Sequence, residues 1–492
     1  MRMFTIVFLL IFEMSWGQNS YIKWTEPVEA ENPVFLQHFT NIDIKHYFTV
    51  YYDKKKNLFI TKCFDNELNL LKKQVVVKGL EGYGYNYFSF AGNNRLFHVM
   101  AEDVKRNENA NIEVVEHSDT IKAVEEENNL HQFHGNNWLR PHKMLISKNR
   151  AYVMMQNIFY EPKTKNNNCS YKVFNTIYGT LLHEGSFAMP ALKDKFESFT
   201  IDDNGNVYFI VKRGIGFRVK DREDKAVIEL LVYNTKGEKK SFQINPLLML
   251  TSRVDILANN ESVYILGMLN FKAKQGGNKI TSQLLLQRFD ITEMRLFDMH
   301  ISSETEGLYP DKKLNDYDKL AYKVNAIHRK SNGNLVLVAE QTKDIANIST
   351  GTLTTEYFDI AAIEIDDKFR VLKTTRLSKY QFSKPRHQLS SDFTESFVST
   401  MLHDTLYLVY SDALKNLTVV NDSDTKNTSS NNSKNGLFIV RVAGDGEPEK
   451  ELVYSYNEQD IIPQLLKSFE VKPGLILLSA QDRLGLLNIQ DK

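Results

Sequence analysis

The sequence is poor in cysteine and has no excess of charge of either sign. Its 492 residues include 2 Cys, too few for a disulfide scaffold or a cysteine-rich zinc module. The 61 Lys and Arg residues balance 61 Asp and Glu residues, so no global field directs the chain to nucleic acid or an anionic membrane. Because 42% of the residues are hydrophobic and 25% are charged, the composition is that of a globular protein with a sizeable core.

Long hydrophobic runs are also scarce, and the one that stands out is at the N-terminus. After Arg2, residues 3–12 are apolar throughout, which is too short for a membrane-spanning helix of about 20 residues. Ser15 and Gly17 then place small residues at the −3 and −1 positions of a cleavage site. We therefore predict a signal peptide over 1–17 and an exported chain over 18–492, in the periplasm, at the cell surface or outside the cell. The alternative is a buried N-terminal strand or helix.

No later run is long enough to cross a membrane, so the mature chain is predicted to have no transmembrane segment. In an oxidising compartment Cys63 and Cys169 have the chance to pair. Each also lies in or near a strand-like run, where a lone Cys is often a small core residue, and we favour the unpaired state.

One pattern recurs along the chain: a turn rich in Asn, Gly or Asp, then a short run of β-branched and aromatic residues. Such a turn permits the positive φ of a tight hairpin, and the run that follows has the composition of a buried strand. The runs align on one column at spacings of 55, 56, 56, 72, 71 and 69 residues. The column consists of Phe97, Tyr152, Tyr208, Tyr264, Val336, Tyr407 and Ile476.

A second strand pair with a short polar turn follows most of these hairpins, as in residues 228–244 and 436–455. Four antiparallel strands per repeat are typical of a β-propeller blade. The pattern predicts an all-β fold, a single β-propeller domain over 18–492 closed by N- and C-terminal strands. We predict seven blades. Eight is the alternative, in which residues 34–52 supply an inner hairpin for the pair at 57–77.

One turn carries a family resemblance. The run Asp203-Asn204-Gly205-Asn206-Val207-Tyr208 resembles the start of the blades of NHL-like exported propellers. The resemblance implies a propeller fold of an uncharacterised exported family and no particular activity. WD40 and kelch blades are disfavoured, because no Trp-Asp pair ends a strand and Gly276-Gly277 is the one Gly pair.

Loop lengths differ between the two ends of the predicted ring. Loops between the second and third strands of a blade open on the same face as the links between blades, and here these are the long ones. We call this end the long-loop face and predict that it binds a ligand, since loops on a rigid scaffold carry function. Its loops are 157–170, 269–283, 340–358 and 411–435, and its links are 125–141, 302–321 and 379–396.

Two links contain candidate ligand-binding residues. In the first link, Trp138 and Arg140 have the flat ring and planar cation that suit a sugar or a carboxylate, with His131 and His134 close in sequence. Alternatively the apolar residues fill space between blades and the histidines are solvated. A metal site is not predicted, because no third ligand follows at a short spacing.

The second candidate link is basic. Arg386 and His387, together with Lys379 and Lys384, have the charge to hold a carboxylate or sulfate, or the segment is an ordinary solvated link. Acidic residues in 304–319 and the oxygens of Asp202 and its neighbours are weaker candidates for a cation site. The second group lacks the Glu that closes a calcium loop and suits a hairpin turn.

The sequence identifies no catalytic residue and no cofactor, because it has no nucleophile elbow, P-loop, dinucleotide-binding loop or HExxH motif. We predict an exported binding or scaffold module for a protein or glycan, monomeric and without nucleic-acid partners. The alternative is a hydrolase or lyase acting on an extracellular polymer. A His and a carboxylate converging at the ring axis within about 5–10 Å would favour the enzyme.

Overall fold

The fold was determined from a computed structural model of the chain. The structure describes residues 22–28, 34–40, 43–53, 55–56, 58–78, 85–91, 95–102, 109–118, 131–134, 143–216, 226–251, 253–259, 261–272, 280–302, 322–347, 352–382, 396–417, 428, 432–444, 447–480 and 482–491.

The described residues form eight antiparallel sheets, which we number as blades in chain order. The first blade contains β2 (Val34–Thr40), β3 (His46–Asp53), β4 (Leu58–Asp65) and β5 (Leu70–Lys78). The second contains β6 (Tyr85–Ala91), β7 (Arg95–Glu102), β8 (Asn109–Ser118) and β9 (His131–His134). The third contains β10 (Lys143–Ile146), β11 (Tyr152–Glu161), β12 (Asn166–Asn175) and β13 (Leu181–Pro190). The fourth contains β14 (Lys195–Ile201), β15 (Val207–Arg213), β16 (Val227–Tyr233) and β17 (Lys239–Gln243).

The remaining four blades follow the same order of strands. The fifth contains β18 (Val254–Ala258), β19 (Ser262–Lys272), β20 (Ile280–Asp290) and β21 (Arg295–Ile301). The sixth contains β22 (Tyr322–Arg329), β23 (Leu335–Asn347), β24 (Thr352–Ile365), β25 (Val371–Leu377) and the short β26 (Gln381–Phe382), which pairs with β24. The seventh contains β27 (Phe397–Leu402), β28 (Thr405–Ala413), β29 (Asn435–Val442) and β30 (Glu449–Ser455). The eighth contains β31 (Phe469–Lys472), β32 (Leu475–Ser479), β33 (Leu484–Asn488) and β1 (Ile22–Trp24).

The all-β propeller class is confirmed, with seven four-stranded sheets and one sheet that carries β26 as a fifth strand. The total is eight blades, which was the alternative to the predicted count of seven. The preferred count of seven misses the inner hairpin of the first blade, β2 and β3. The turn of this hairpin contains no Asn-Gly pair. Ile44 instead takes the positive φ, 58°, that Gly usually supplies.

Both ends of the chain contribute to the eighth blade. The N-terminal strand β1 pairs with β33 in the register Ile22↔Leu487 to Trp24↔Gly485. Thr25 extends this pairing, since its N–H donates to the Leu484 carbonyl at 2.8 Å and its hydroxyl accepts from the Leu484 N–H at 3.1 Å. Strand β1 therefore completes a sheet whose other three strands lie more than 440 positions later in the chain, as Phe469–Lys472, Leu475–Ser479 and Leu484–Asn488.

The repeat column lies on the second strand of its blades, as predicted. In the fourth blade every residue from Val207 to Lys212 is buried, because β15 has a strand on each side and a blade against each face. The preceding turn is held by Asp202, whose carboxylate accepts from the Asn206 N–H at 2.8 Å and the Tyr208 hydroxyl at 2.7 Å. Gly205 has φ +86° there. These residues form a hairpin turn, as the sequence favoured over a calcium loop.

The core is a series of apolar layers between adjacent blades. Ile210 and Leu230 of the fourth blade pack with Ile256 and Ile265 of the fifth. The layer between the first and eighth blades contains Tyr47 with Leu475 and Leu477 on the other side. Among the described side chains, such layers join each blade to the next from the third blade through the eighth and on to the first.

Helical segments are few and short in the described part of the chain. They are the 3₁₀ helices Pro246–Leu250, Leu414–Leu417, Asn432–Lys434, Leu465–Lys467 and Ile489–Asp491, and one α-helical turn, Tyr456–Gln459. None of the helices in the described ranges has the length and apolar content to cross a membrane.

The two cysteines, which both lie within the described ranges, form no disulfide. Cys63 is on β4 and Cys169 is on β12, in different blades. Burial raises the pKa of the Cys169 thiol to about 12, and its sulfur accepts a hydrogen bond from Gln156 Nε2 at 3.3 Å. Cys169 is a small core residue, which agrees with the favoured unpaired state.

Candidate functional site

The long-loop face is built largely from strands that extend beyond their blades. Residues 157–170 were expected to be a loop, but β11 and β12 stay paired to Glu161↔Asn166. In the same way β19 and β20 stay paired to Lys272↔Ile280, and β23 and β24 to Asn347↔Thr352. Three blades therefore project paired strands from this end of the ring.

Large apolar side chains are exposed on the same face. Leu250 is 70% exposed at the end of the Pro246–Leu250 helix, which links the fourth and fifth blades. Leu192 is 52% exposed in the link between the third and fourth blades. Tyr160, Leu417 and Leu466 are also exposed, at a projecting hairpin, a loop and a link. The opposite end of the ring exposes leucines as well, among them Leu71 at 54% and Leu372 at 53%, so single exposed leucines do not distinguish this face.

The basic link at 379–388 is anchored inside the protein at its first residue. The Lys379 side chain is fully buried and its ammonium group is ion-paired with Glu340. It also donates to Gln381 Oε1 at 3.0 Å. Ser396 connects the pair to the seventh blade, since its hydroxyl donates to Glu340 at 3.0 Å. The prediction that Lys379 helps to hold an external anion is therefore wrong, because its charge is neutralised within the core.

The other predicted ligand-binding residues are placed only in part. His131 and His134 lie on β9, where they pair with Ile112 and Asn109. Both histidines fall in the predicted link 125–141, but residues 131–134 are instead the outer strand of the second blade. Trp138 and Arg140, and likewise Arg386 and His387, lie outside the described residues. The acidic segment 304–319 also lies outside them.

At the opposite face, which we call the short-turn face, polar residues of different blades meet near the ring axis. Arg150, in the turn after β10, donates from Nη2 to the Val471 carbonyl of β31 at 2.8 Å. The Thr400 hydroxyl of β27 donates to Glu470 at 2.6 Å. His328 Nε2 lies 2.9 Å from the Ser399 hydroxyl. This axial cluster thus joins the third, sixth, seventh and eighth blades.

Burial changes the titration of both the base and the acid of the axial cluster. Burial, reinforced by the positive charge of Lys148, lowers the pKa of His328 to about 4. Burial raises the pKa of Glu470, partly offset by the Thr400 hydrogen bond and by Lys148. His328 is therefore neutral at physiological pH. His328 and Glu470 each have a hydroxyl partner on β27, so their hydrogen bonds link the sixth and eighth blades to the seventh.

Sequence reasoning missed the axial cluster, although the repeat contained a signal for it. His328, Thr400 and Glu470 are the inner-strand partners of the column residues Val336, Tyr407 and Ile476. An alignment of the strands that precede the column would have placed these three residues at equivalent positions. They are about 70 positions apart, in line with the column spacing, so no short motif brings them together.

The described residues contain no group of three His, Cys, Asp or Glu side chains suited to a metal ion. No known protein family matches the chain, and no curated protein matches it.

Solved structures with a similar fold include propeller domains. The chain is similar to the WD40 domain of SCAP from fission yeast, with 9% identity, a TM-score of 0.32, and coverage of 96% of this chain and 98% of that one. It is also similar to the β-propeller domain of the Trilobed protease from Pyrococcus furiosus, with 9% identity, a TM-score of 0.34, and coverage of 89% and 98%.

A third similar structure is that of a prolyl endopeptidase, with 9% identity, a TM-score of 0.38 and coverage of 85% of this chain. This chain spans about half of that protein, 50% of its length. These likenesses concern the fold alone.

Proposed function

We propose that the protein is an exported binding module that holds a protein partner on its long-loop face. The observation that carries the proposal is the projection of three paired strands from one end of the ring. A rigid ring presents such elements in fixed positions at little entropic cost. Exposed aliphatic side chains favour a protein over a glycan, which is usually held by aromatic rings and hydrogen bonds.

Site-specific photocrosslinking tests the location of the partner. A photoreactive phenylalanine analogue replaces Leu250 or Leu192 in the protein secreted by its native host. The control position is Leu372, which is 53% exposed at the start of β25, on the short-turn face. We expect a protein adduct of one defined mass from the two test positions and none from the control.

Two results would contradict the proposal: no adduct from Leu250 or Leu192, or equal adducts from Leu372. A carbohydrate-bearing adduct would instead identify a glycan ligand. Trp138, Arg140, Arg386 and His387 stay predicted contributors to this face, since their links open on it.

The alternative is a hydrolase or lyase for an extracellular polymer. Its candidate base and acid are His328 and Glu470 of the axial cluster, which bind the hydroxyls of Ser399 and Thr400 on β27. The mature protein is incubated with a panel of polysaccharides and polypeptides, beside His328→Gln and Glu470→Gln. Cleavage by the parent that both variants lose would support the enzyme, and no cleavage by the parent would exclude it for the panel.

A further inference from the structure

The guanidinium group of Arg150 at the ring axis has a charge that no ion pair compensates among the described residues. Its two hydrogen bonds both come from Nη2, to the Val471 carbonyl at 2.8 Å and to the Glu470 carbonyl at 3.4 Å. The Nε and Nη1 atoms have no partner among the described residues. By contrast Arg213 and Arg376, which are also half-buried, each bind a carboxylate directly. Arg150 therefore has donors and a charge to spare.

The turn that contains Arg150 is held on three sides. Asn149 donates from its N–H to Asp203 of the fourth blade at 2.7 Å. The Thr176 hydroxyl donates to the Arg150 carbonyl at 2.7 Å, and the Arg150 side chain reaches Val471 of the eighth blade. Arg150 also has φ 60°, a left-handed conformation that is unfavourable for a residue with a Cβ. The guanidinium group is thus held in place by the protein, which lowers the entropic cost of binding a ligand.

A second cation lies in the same turn. Lys148 is exposed and has no hydrogen bond or ion pair among the described residues. Its positive charge acts on the pKa of both His328 and Glu470, so it belongs to the surroundings of the axial cluster. His328 is neutral, because burial and Lys148 lower its pKa to about 4. Lys148 and Arg150 therefore face one carboxylate, that of Glu470.

We call the turns between the first and second strands of the blades the inner turns, and their described acidic residues are bound to other groups. The pairs are Asp43 with Lys45, Asp203 with Asn149, Glu261 with Arg329, and Asp404 with Ser331. The inner turn of the second blade, residues 92–94, lies outside the described residues, and its sequence Gly-Asn-Asn contains no carboxylate. The described inner turns thus provide no second carboxylate for Arg150 and Lys148.

This set of groups suits an oxyanion. A planar guanidinium group with unused N–H donors and a nearby ammonium group are the side chains that bind carboxylate, sulfate and phosphate. The excess of positive charge disfavours a metal cation. Arg150 and Glu470 are half-buried and Thr400 is fully buried, so the groups are recessed below the surface of the short-turn face. A recessed position favours a small ion over a bulky substituent.

We propose that the axis of the ring, at the short-turn face, binds one small free oxyanion beside Arg150 and Lys148. The anion supplies the counter-charge that Arg150 lacks and accepts from the N–H groups that Val471 does not use. Since the Arg150 side chain already joins the third blade to the eighth, the bound anion also strengthens that connection across the axis. The site is at the opposite end of the ring from the long-loop face and does not depend on the proposed protein partner.

Equilibrium dialysis of the mature protein against radiolabelled sulfate, in a buffer without chloride, measures the binding directly. We expect saturable binding of one sulfate per chain, which phosphate and acetate displace. Lys148→Gln should weaken the binding by about tenfold, since it removes one of the two cations. This exposed side chain makes no described hydrogen bond, so the variant should keep the melting temperature of the parent.

The matched control is Arg329→Gln, in the inner turn of the sixth blade. It removes the same charge from the same face, but its guanidinium group is already paired with Glu261 at 3.0 Å. Arg329→Gln should bind sulfate as the parent does. Arg150→Gln should lose the binding, with its melting temperature measured beside it. Absence of saturable sulfate binding in the folded parent, or equal loss in Lys148→Gln and Arg329→Gln, would overturn the proposal.

Glu470→Gln tests the site in the opposite direction. The amide can still accept from the Thr400 hydroxyl, which donates to Glu470 at 2.6 Å, but it has no charge to repel an anion. At mildly alkaline pH, where Glu470 is ionised in the parent, sulfate should bind this variant at least about threefold more tightly. Unchanged or weaker binding would show that sulfate does not lie beside the axial cluster.

Competition with glucose 6-sulfate separates a free ion from the anionic group of a larger molecule. Because Arg150 and Glu470 are recessed, this sugar should displace labelled sulfate less well than unlabelled sulfate does. Equal displacement would contradict a free ion as the ligand. The melting temperature gives an independent readout, since sulfate should raise it more in the parent than in Lys148→Gln. An equal rise in both proteins would be a general salt effect and would count against the site.

Discussion

The Lys379 ammonium group is buried between two blades, where one carboxylate compensates its charge. The Lys379 Nζ atom lies 5.8 to 6.0 Å from the ring centroids of Tyr357, Phe397 and Tyr410, so aromatic rings surround the charged group. Removal of one member of a buried ion pair leaves an uncompensated charge, which costs about 3–5 kcal/mol. The pair is therefore a point where a single substitution disturbs the contact between the sixth and seventh blades.

We expect Lys379→Met to lower the free energy of unfolding by about 3–5 kcal/mol, measured by urea denaturation. The double variant Lys379→Met with Glu340→Leu should recover part of that loss. The control is Arg441→Met, which breaks an exposed pair with Glu449 and should leave the free energy of unfolding nearly unchanged. Equal effects of Lys379→Met and Arg441→Met would contradict this account.

His328 should make the protein less stable in acid. Its pKa is about 4 in the folded chain against an ordinary value of 6.5. Between these values the unfolded chain binds the proton and the folded one does not, so stability falls as the pH falls. At about 1.4 kcal/mol per pKa unit, His328 accounts for up to about 3 kcal/mol of that loss.

The free energy of unfolding of His328→Gln, measured by urea denaturation, should therefore depend less steeply on pH between 4 and 6.5 than that of the parent. The raised pKa of Glu470 acts in the opposite direction, because the folded chain there holds its proton more tightly. Parent and variant both contain Glu470, so the difference between their slopes reports on His328. Identical slopes would mean that His328 titrates at its ordinary pKa in the folded chain.

At the scale of the element, strand β1 is the least extensive part of the ring and its packing depends on one glycine. The Trp24 ring lies over Gly485, where an added Cβ would come within 2.6 Å of the ring. Trp24 also meets Tyr454 of the seventh blade edge-on, with centroids 6.5 Å apart. Three residues of pairing are thus reinforced by one aromatic contact.

Gly485→Ala should displace Trp24 and destabilise the eighth blade. Trp24→Ala should lower the free energy of unfolding by about 3 kcal/mol, measured by denaturant unfolding. Gly444→Ala is the matched control, since no atom lies within 4 Å of its added Cβ. A Gly485→Ala protein as stable as Gly444→Ala would show that Trp24 does not secure β1.

Sequence patterns predicted elements well where turn and strand signals coincided. The hairpin before Tyr208 has both an Asn-Gly turn and a β-branched run, and its strands are as expected. The first blade was missed as a complete unit because Ile44 replaces Gly in its turn. Residues 166–168 are three Asn, which have low strand propensity, yet pairing with β11 and β13 makes them a strand. Contacts between residues far apart in the sequence, such as Lys379 with Glu340 at 39 positions, leave no local signal to read.

At the scale of the whole molecule, the ring should unfold when its last blade is removed. Deletion of residues 466–492 takes away β31, β32 and β33, together with the partner of β1. The seventh blade then exposes the apolar face that packs on Leu478 and Leu487. We expect loss of the folded state by circular dichroism and by limited proteolysis. Deletion of residues 491–492 alone should not have this effect, and a truncated chain that melts like the parent would contradict ring closure.

The mature protein should begin at Gln18. The apolar run after Arg2 and the small residues Ser15 and Gly17 favour cleavage before that residue. Intact-mass measurement of the exported protein should show the loss of residues 1–17, and retention of Met1 would contradict the prediction.

The pairing of β1 with β33 determines when the protein can finish folding. Thr25 and Leu484, which are hydrogen-bonded, are 459 positions apart, so β1 waits for β33 to be synthesised. Contacts of such long range are slow to form and leave strand edges exposed meanwhile. Successive blades can assemble while the chain is still being made, but the ring remains open until β33 is available. An interrupted product is thus an unclosed ring with exposed edges, a substrate for chaperones and proteases.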